Sequence, residues 1–390
     1  APFGPSATQP MTERTRTTVT YSVLYSFKGG SDGAWPQGSL LAVNGALYGT
    51  TPLGGLRGAH HTHLRCGAHI LIPGCGTVFA VTLSGVETVL HRFGGARRGD
   101  GATPYANLID VQGALYGTTY TGGTNRYGSV FVINASGGES VLYSFRGSSA
   151  DGASPLAGVI SVNGTLYGTT RYGGAHNAGT VFAIAPSGQE RVLHAFGSRG
   201  DGAEPFASLI NVKGTLYGTT SVGGVYNNGG TVFAITLSGK ERVLHSFGGT
   251  ADGAVPYASL INVGGTLYGT TGGGGATGDG TVFSITRSGS ETVLHSFQCS
   301  KEGFEPYGPL TSVNGTLYGT TVEGLPCSGG AGGTVYAISK SGKERVLHQF
   351  SGNPDGQGPY GGLINVNGTL YGTTLGGGSD GPGTVFSLKT

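Results

Sequence analysis

Hydrophobic and polar positions alternate along this chain in short runs separated by glycine-rich turns, the period expected of half-buried strands rather than of helices. Residues 205–212 read as a strand, Lys213-Gly214 as a tight turn, and Thr215-Leu216-Tyr217-Gly218-Thr219-Thr220 as its hairpin partner. After a glycine-rich loop, residues 231–236 and 242–247 form a second hairpin around Ser238-Gly239-Lys240. Four antiparallel strands of this kind make one sheet. The same pattern returns around Tyr48, Tyr116, Tyr167, Tyr217, Tyr268, Tyr318 and Tyr371, at a spacing of roughly 50 residues that points to the blades of a β-propeller.

The order of strands predicts how the ring closes. The first strand in the chain, residues 21–27, has the pattern of the fourth and outermost strand of a blade, whereas the chain finishes on a third strand, residues 384–388. The seventh blade therefore borrows its outermost strand from the N-terminal end, which removes two open sheet edges. The expected architecture is all-β, a seven-bladed propeller over residues 21–390 preceded by an N-terminal extension of residues 1–20. Within a blade, the hairpin turns are short and all length variation falls in two loops on one face. Those are the loop between blades and the loop joining the second strand to the third, and a specific site is expected on that face or in the channel opening there.

Composition agrees with this reading. The 79 glycines and 11% charged residues would suggest low complexity, but 37% of the chain is hydrophobic and distributed as strands, so the glycines are assigned to turns. A formal net charge of +2 without a basic cluster argues against nucleic acid as a partner. No apolar run reaches membrane-spanning length, so membrane insertion is not expected. Four cysteines and a single methionine suit an extracellular protein, secreted or held at a cell surface, whose processed chain starts at Ala1.

Five elements keep their order and spacing through the repeats: Leu-Tyr-Gly-Thr-Thr, a following Gly-Gly, Gly-Thr-Val-Phe, Ser-Gly-x-Glu and Val-Leu-His-Ser-Phe. In these the chain resembles the GloVer-type (Gloeobacter/Verrucomicrobia) tandem-repeat proteins over residues 21–390. The resemblance implies a secreted or surface propeller and brings no catalytic residue with it. Many members of the family carry a C-terminal anchoring module, which the given sequence does not contain.

Candidate chemistry is sparse. An acidic residue recurs before glycine as Asp32, Asp100, Asp151, Asp201, Asp252, Glu302 and Asp355. A ring of carboxylates could hold calcium, but side-chain bonds to the amides of an Asp-Gly turn are the better account. His91, His194, His245, His295 and His348 share one strand position with Tyr25 and Tyr143; tyrosine replaces imidazole sterically but not as a base, so the position reads as structural. Tyr105, Phe206, Tyr257, Tyr307 and Tyr360 follow a proline at the start of the innermost strands, and with Trp35 they are the candidates for stacking on sugar rings, set against a role in packing blade on blade.

The first repeat carries an insertion with His60, His61, His63, Cys66, His69 and Cys75. A Cys66–Cys75 disulfide is expected there, with metal binding by the histidines as the alternative. Cys299 and Cys327 suit a second disulfide. No cofactor is expected. Two G-x-S-x-G matches, residues 29–33 and 377–381, lie at no strand-to-helix elbow and are expected by chance in so glycine-rich a chain. Asn134, Asn163, Asn314 and Asn367 head glycosylation sequons, three of which are Asn-Gly-Thr hairpin turns.

Residues 1–20 stand outside the repeat. A proline-rich start gives way to Arg14-Thr15-Arg16-Thr17-Thr18-Val19-Thr20, which has strand-forming character. Such an arm, through Phe3, Arg14, Arg16 and Val19, could dock on the next copy of the chain and propagate a head-to-tail filament. Three functions follow: a non-enzymatic structural or adhesive scaffold that self-assembles through this arm; a carbohydrate-binding propeller recognising cell-surface or environmental polysaccharide; or a polysaccharide lyase or hydrolase with one site on the long-loop face, around His60 to His69 or Glu302.

Overall fold

The computed structural model describes residues 19–55, 66, 74–134, 136–226, 229–248, 251–325 and 332–390. These form seven four-stranded antiparallel sheets arranged as a β-propeller. In the blade containing Tyr217 the strands, from the inside outward, are Ile210–Val212, Thr215–Thr220, Thr231–Thr236 and Glu241–Ser246. The closing blade joins Ile364–Val366, Thr369–Thr374 and Thr384–Lys389 to Thr20–Ser26. The clasp is as expected, with Thr20 opposite Lys389 and Ser26 opposite Thr384. It begins one residue early, and Val19 packs against the propeller core beside Tyr21.

The hairpin between the two inner strands turns through left-handed backbone, as in Lys213 (φ 52°) and Gly214 (φ 83°) or Asn163 (φ 52°) and Gly164 (φ 80°). That is the type I′ geometry whose twist matches the flanking strands. The innermost strand is shorter than the apolar pattern suggested. Only Ile210–Val212 pairs in the ladder; residues 205–209 leave it and run along the channel, because the proline lacks an amide to donate and the residue before it is held at positive φ.

The core lies between blades rather than within them. One cluster combines Val162, Tyr167, Val181 and Phe196 of one blade with Leu209, Leu216, Phe233 and Ile235 of the next. Its centre is an edge-to-face pair, Phe196 on Phe233 at 5.1 Å between ring centroids, and the pair recurs around the ring from Phe27–Phe79 to Phe350–Phe386. Gly218 is glycine because the Phe233 ring lies over it: a Cβ there would sit 2.6 Å from Phe233 Cζ.

The two threonines of Leu-Tyr-Gly-Thr-Thr divide the work of holding the ring. The hydroxyl of the first donates to a carbonyl of the next blade's inner segment, as Thr50 to Ala106 at 2.8 Å and, across the closure, Thr373 to Gly38 at 3.3 Å. The hydroxyl of the second pairs with the first residue of the third strand in its own blade, as Thr220 with Thr231 at 2.8 Å. Both are buried and satisfied. Among the described residues a two-residue ladder, such as Gly202–Ala203 with Val222–Gly223, also ties the two long loops together in four repeats, a pairing too short to be visible in the sequence pattern.

Candidate functional site

The residue before each proline builds the channel mouth. Trp35, Thr103, Ser154, Glu204, Val255 and Glu305 all have φ between 52° and 64°. The amide of Glu204 donates to Ala178 O of the preceding blade at 2.8 Å, and its carbonyl accepts from Ser221 N at 3.1 Å. Thr103, Ser154, Val255 and Glu305 make the same two bonds. The kink turns the residue after the proline inward. Gln37, Tyr105, Leu156, Phe206, Tyr257, Tyr307 and Tyr360 thereby line one open cavity of about 490 Å³, with Tyr120 and Arg171 added from the loops that follow second strands. Five of the six aromatic candidates are brought together. Trp35 is not among the lining residues; it occupies the kink itself, 48% exposed, and Gln37 holds the equivalent inward position.

The mouth is asymmetric although the ring is not. Phe206, Tyr257 and Tyr307 form a run of edge-to-face contacts at 4.8 and 4.9 Å, continued by Tyr360 at 5.8 Å. At one end the Arg171 guanidinium lies 4.6 Å over the Phe206 ring and pairs with Glu204 at 2.9 Å. At the other end Glu305 acts on the Tyr307 phenol and, with Glu323, on that of Tyr360; their segments are joined by a backbone bridge between Phe304 and Glu323 and by Val322 N donating to Glu305 O at 3.1 Å. Burial pushes the Tyr307 phenol far above its ordinary value, with Glu305 adding to the effect. Burial likewise raises Tyr105, Tyr257 and Tyr360. These phenols stay protonated near neutrality, which suits them to stacking and hydrogen bonding rather than to proton abstraction.

The acidic positions of the Asp-Gly turns make a second, repeated set of polar contacts. Asp201 Oδ2 lies 2.9 Å from His194 Nε2, and Oδ1 accepts from Gly202 N at 2.7 Å. Where histidine is replaced, Tyr25 and Tyr143 donate to Asp32 and Asp151 at 2.8 and 2.9 Å. The turn role is thus extended: each carboxylate also anchors the outermost strand. A glutamate from the next blade completes the group. His91, Asp100 and Glu139, His194, Asp201 and Glu241, and His245, Asp252 and Glu291 each bring three ligand-type atoms within 4.8 Å of one another. Nε2 and Oδ2 already face each other as hydrogen-bond partners in these groups, so a cation would have to displace that bond.

The glutamates are unusual. Glu87, Glu139, Glu190, Glu241, Glu291 and Glu344 each bury one carboxyl oxygen with no partner. Burial and then the facing Asp100 push Glu139 up to about 7, and Glu241 and Glu291 behave alike against Asp201 and Asp252. Burial alone would raise Asp252, but its bonds from His245, Gly248 and Gly253 bring it below the ordinary value. The equivalent of these glutamates in the clasp strand is Tyr21, whose ring stacks on His348 at 3.8 Å. Repetition had marked the histidines as structural; the glutamate partner was hidden because it comes from another blade.

Cys66 and Cys75 form the expected disulfide, both buried. Cys299 is disulfide-bonded as well; Cys327 lies outside the described residues, as do His60, His61, His63 and His69. Phe3, Arg14 and Arg16 are likewise outside them. Asn163, Asn314 and Asn367 are turn residues at φ 50° to 52°, and Asn134 Oδ1 accepts from Ser136 N and Gly138 N. Among the described residues no helix is long and apolar enough to cross a membrane.

The repeat has a known counterpart. The family model described as the Gloeobacter/Verrucomicrobia repeat matches residues 67–229 and 199–386, and the chain belongs to that family. No curated protein matches it. Among solved structures, a puromycin-hydrolysing peptidase of Mycobacterium tuberculosis is similar at 13% identity and a TM-score of 0.51, covering 92% of this chain and 52% of its own. A puromycin hydrolase is similar at 12% identity and a TM-score of 0.51, covering 88% and 50%. Sqt1 of Saccharomyces cerevisiae is similar at 12% identity and a TM-score of 0.51, covering 90% and 83%. The chain spans about half the length of the two hydrolases, and identities this low establish the propeller fold alone.

Proposed function

We propose that the chain is a non-catalytic, extracellular binding propeller whose channel mouth holds a carbohydrate, so that it serves as an adhesive scaffold on polysaccharide. The observation that carries this reading is the aromatic run Phe206, Tyr257, Tyr307 and Tyr360 along an open cavity of about 490 Å³. Aromatic rings offer apolar faces to the C–H surface of a sugar, phenols and Gln37 offer hydrogen bonds to its hydroxyls, and the volume is that of a small-ligand site. The raised phenols and the Arg171–Glu204 pair supply no activated nucleophile. The Cys66–Cys75 disulfide supports an oxidising, extracellular setting. A glycan array probed with the native protein and with a Tyr257→Ala, Tyr307→Ala double variant tests it: selective glycan signals lost in the variant are expected, and signals unchanged by the variant would overturn the reading.

Self-assembly through residues 1–18 is a second proposal, favoured by one observation. The strand that follows it, Thr20–Ser26, is the outermost of its blade, at the rim, the part of the ring a neighbouring copy can reach. Electron microscopy of the chain with and without residues 1–18 tests this: filaments that depend on the segment are expected, and single rings in both samples would refute it.

A further inference from the structure

The channel continues below the mouth, and its lining carries the reading further, on condition that the mouth is a carbohydrate site. The seven inward residues from Gln37 to Tyr360 border two cavities, the outer one of about 490 Å³ and an inner one of about 110 Å³. They form a collar between the two. Arg171 and Tyr120 line the outer cavity alone, and among the described residues no charged side chain lines the inner one. Its polar groups come from the position two residues beyond the collar in four blades, Ser39, Asn107, Ser208 and Ser259, all half-buried, with Pro309 as an apolar counterpart in a fifth. Ser39 Oγ accepts from Gly362 N at 2.8 Å, and Ser208 Oγ donates to Asn107 Oδ1 at 3.3 Å. That second bond skips a blade. The Asn107 side chain reaches across Gly158, where a Cβ would sit 3.0 Å from its Oδ1. With Oδ1 taken by Ser208, the donor side of the Asn107 amide is left for a ligand. Among the described residues neither Asn107 Nδ2 nor Ser259 Oγ has a hydrogen-bond partner.

The inner cavity selects by chemistry and by size. A carboxylate or an ammonium placed there would lose hydration and meet no counter-charge. A hydroxymethyl group, with two heavy atoms, would leave much of it unfilled, since about 110 Å³ is the room of roughly three to four waters. An acetamido group brings four heavy atoms, among them an acceptor oxygen, an N–H donor and a methyl. We infer that the mouth recognises an N-acetylated amino sugar, its ring lying against Phe206, Tyr257 and Tyr307 in the outer cavity and its acetamido group passing the collar into the inner one. There the acetamido oxygen accepts from Asn107 Nδ2, its N–H donates to Ser259 Oγ, and its methyl meets Pro309. No covalent step is involved. Because the discriminating contacts are between neutral groups, the preference is not screened by salt.

Isothermal titration at pH 6 with three hexasaccharides tests this: the hexamer of N-acetylglucosamine, that of glucosamine, which carries a free amine in place of the acetamido group, and cellohexaose, which carries a hydroxyl. The native chain should bind the N-acetylglucosamine hexamer at least about tenfold more tightly than either of the others, a margin of about 1.4 kcal/mol, and the margin should persist in high salt. In an Asn107→Ala, Ser259→Ala variant the affinity for the N-acetylglucosamine hexamer should fall to that for cellohexaose, which uses the collar alone and should be bound as before. A Tyr257→Ala, Tyr307→Ala variant should lose all three, with thermal unfolding confirming that both variants keep the ring. A native chain that binds cellohexaose or the glucosamine hexamer as tightly as the acetylated one, or a preference that survives both inner alanine substitutions, overturns the inference while leaving the carbohydrate reading in place. Failure of the native chain to bind any of the three overturns both.

Discussion

The junctions between blades and the channel mouth are built from equivalent positions of the same repeat, yet they treat those positions in opposite ways. At the junctions the seven acidic residues all do one thing, holding an imidazole or phenol of the outermost strand and the amides of their own turn. At the mouth the seven inward residues are Gln37, Tyr105, Leu156, Phe206, Tyr257, Tyr307 and Tyr360, and the arginine and glutamates beside them occur at scattered repeats. A closed ring needs every junction to be satisfied, so a change at one is costly and the residues stay alike. Nothing in ring closure depends on what faces the channel, and there the copies are free to differ and to bind.

Substitutions ranked by their cost to folding separate the two regions. Phe233→Ala should have the largest effect, about 3 to 5 kcal/mol in chemical denaturation, because it empties the centre of a core shared by two blades. Asp201→Ala should follow at about 1 to 3 kcal/mol, since it strips partners from His194 and from the Gly202 amide at a nearly buried site. A cost below about 0.5 kcal/mol for either would show that the junctions are not what holds the ring.

The glutamates of the junctions predict a dependence on pH. Glu139, Glu241 and Glu291 are pushed up to about 7 from an ordinary value of 4.5 by burial and a facing aspartate. A carboxyl raised in the folded state binds its proton more tightly there than in the unfolded chain. Its contribution to stability is complete below 4.5 and is lost as pH rises through about 7. Thermal unfolding should therefore shift to lower temperature between pH 5 and pH 8, and a Glu139→Gln, Glu241→Gln, Glu291→Gln variant should show a shallower fall. Equal slopes in the two proteins would remove the glutamates from the account.

Smaller effects sharpen the contrast. Tyr336 replaces the phenylalanine found at this position in the other six blades and buries a hydroxyl without a partner. Tyr336→Phe should raise stability by about 1 kcal/mol, whereas a loss would mean that the hydroxyl has a partner in solution. Tyr257→Ala with Tyr307→Ala should cost about 2 kcal/mol for the pair, less than Phe233→Ala alone, while abolishing ligand binding, and a loss as large as that of Phe233→Ala would mark the mouth as core.

The sequence carried the architecture well because a propeller repeats its instructions: Leu-Tyr-Gly-Thr-Thr and the order of strands lead directly to seven blades and a clasp. It overstated the innermost strand, since residues 205–209 alternate like a ladder strand but the proline and the kink at Glu204 take them out of it. The aromatic mouth was legible from Tyr105, Phe206, Tyr257, Tyr307 and Tyr360, whereas Arg171, Tyr120 and Glu323 were not. Those three follow second strands in separate blades and meet the aromatics only through ring closure. The junction glutamates were missed for the same reason, as they lie some forty residues from the aspartates they face, at a separation that local patterns do not report.

The comparison is tested most directly by the stoichiometry of carbohydrate binding in isothermal titration. A site made by the departures from the repeat takes one oligosaccharide per chain, and none after Tyr257→Ala with Tyr307→Ala. A site made by the repeat itself would take close to seven and survive that double substitution, and such a result would contradict the assignment of binding to the mouth.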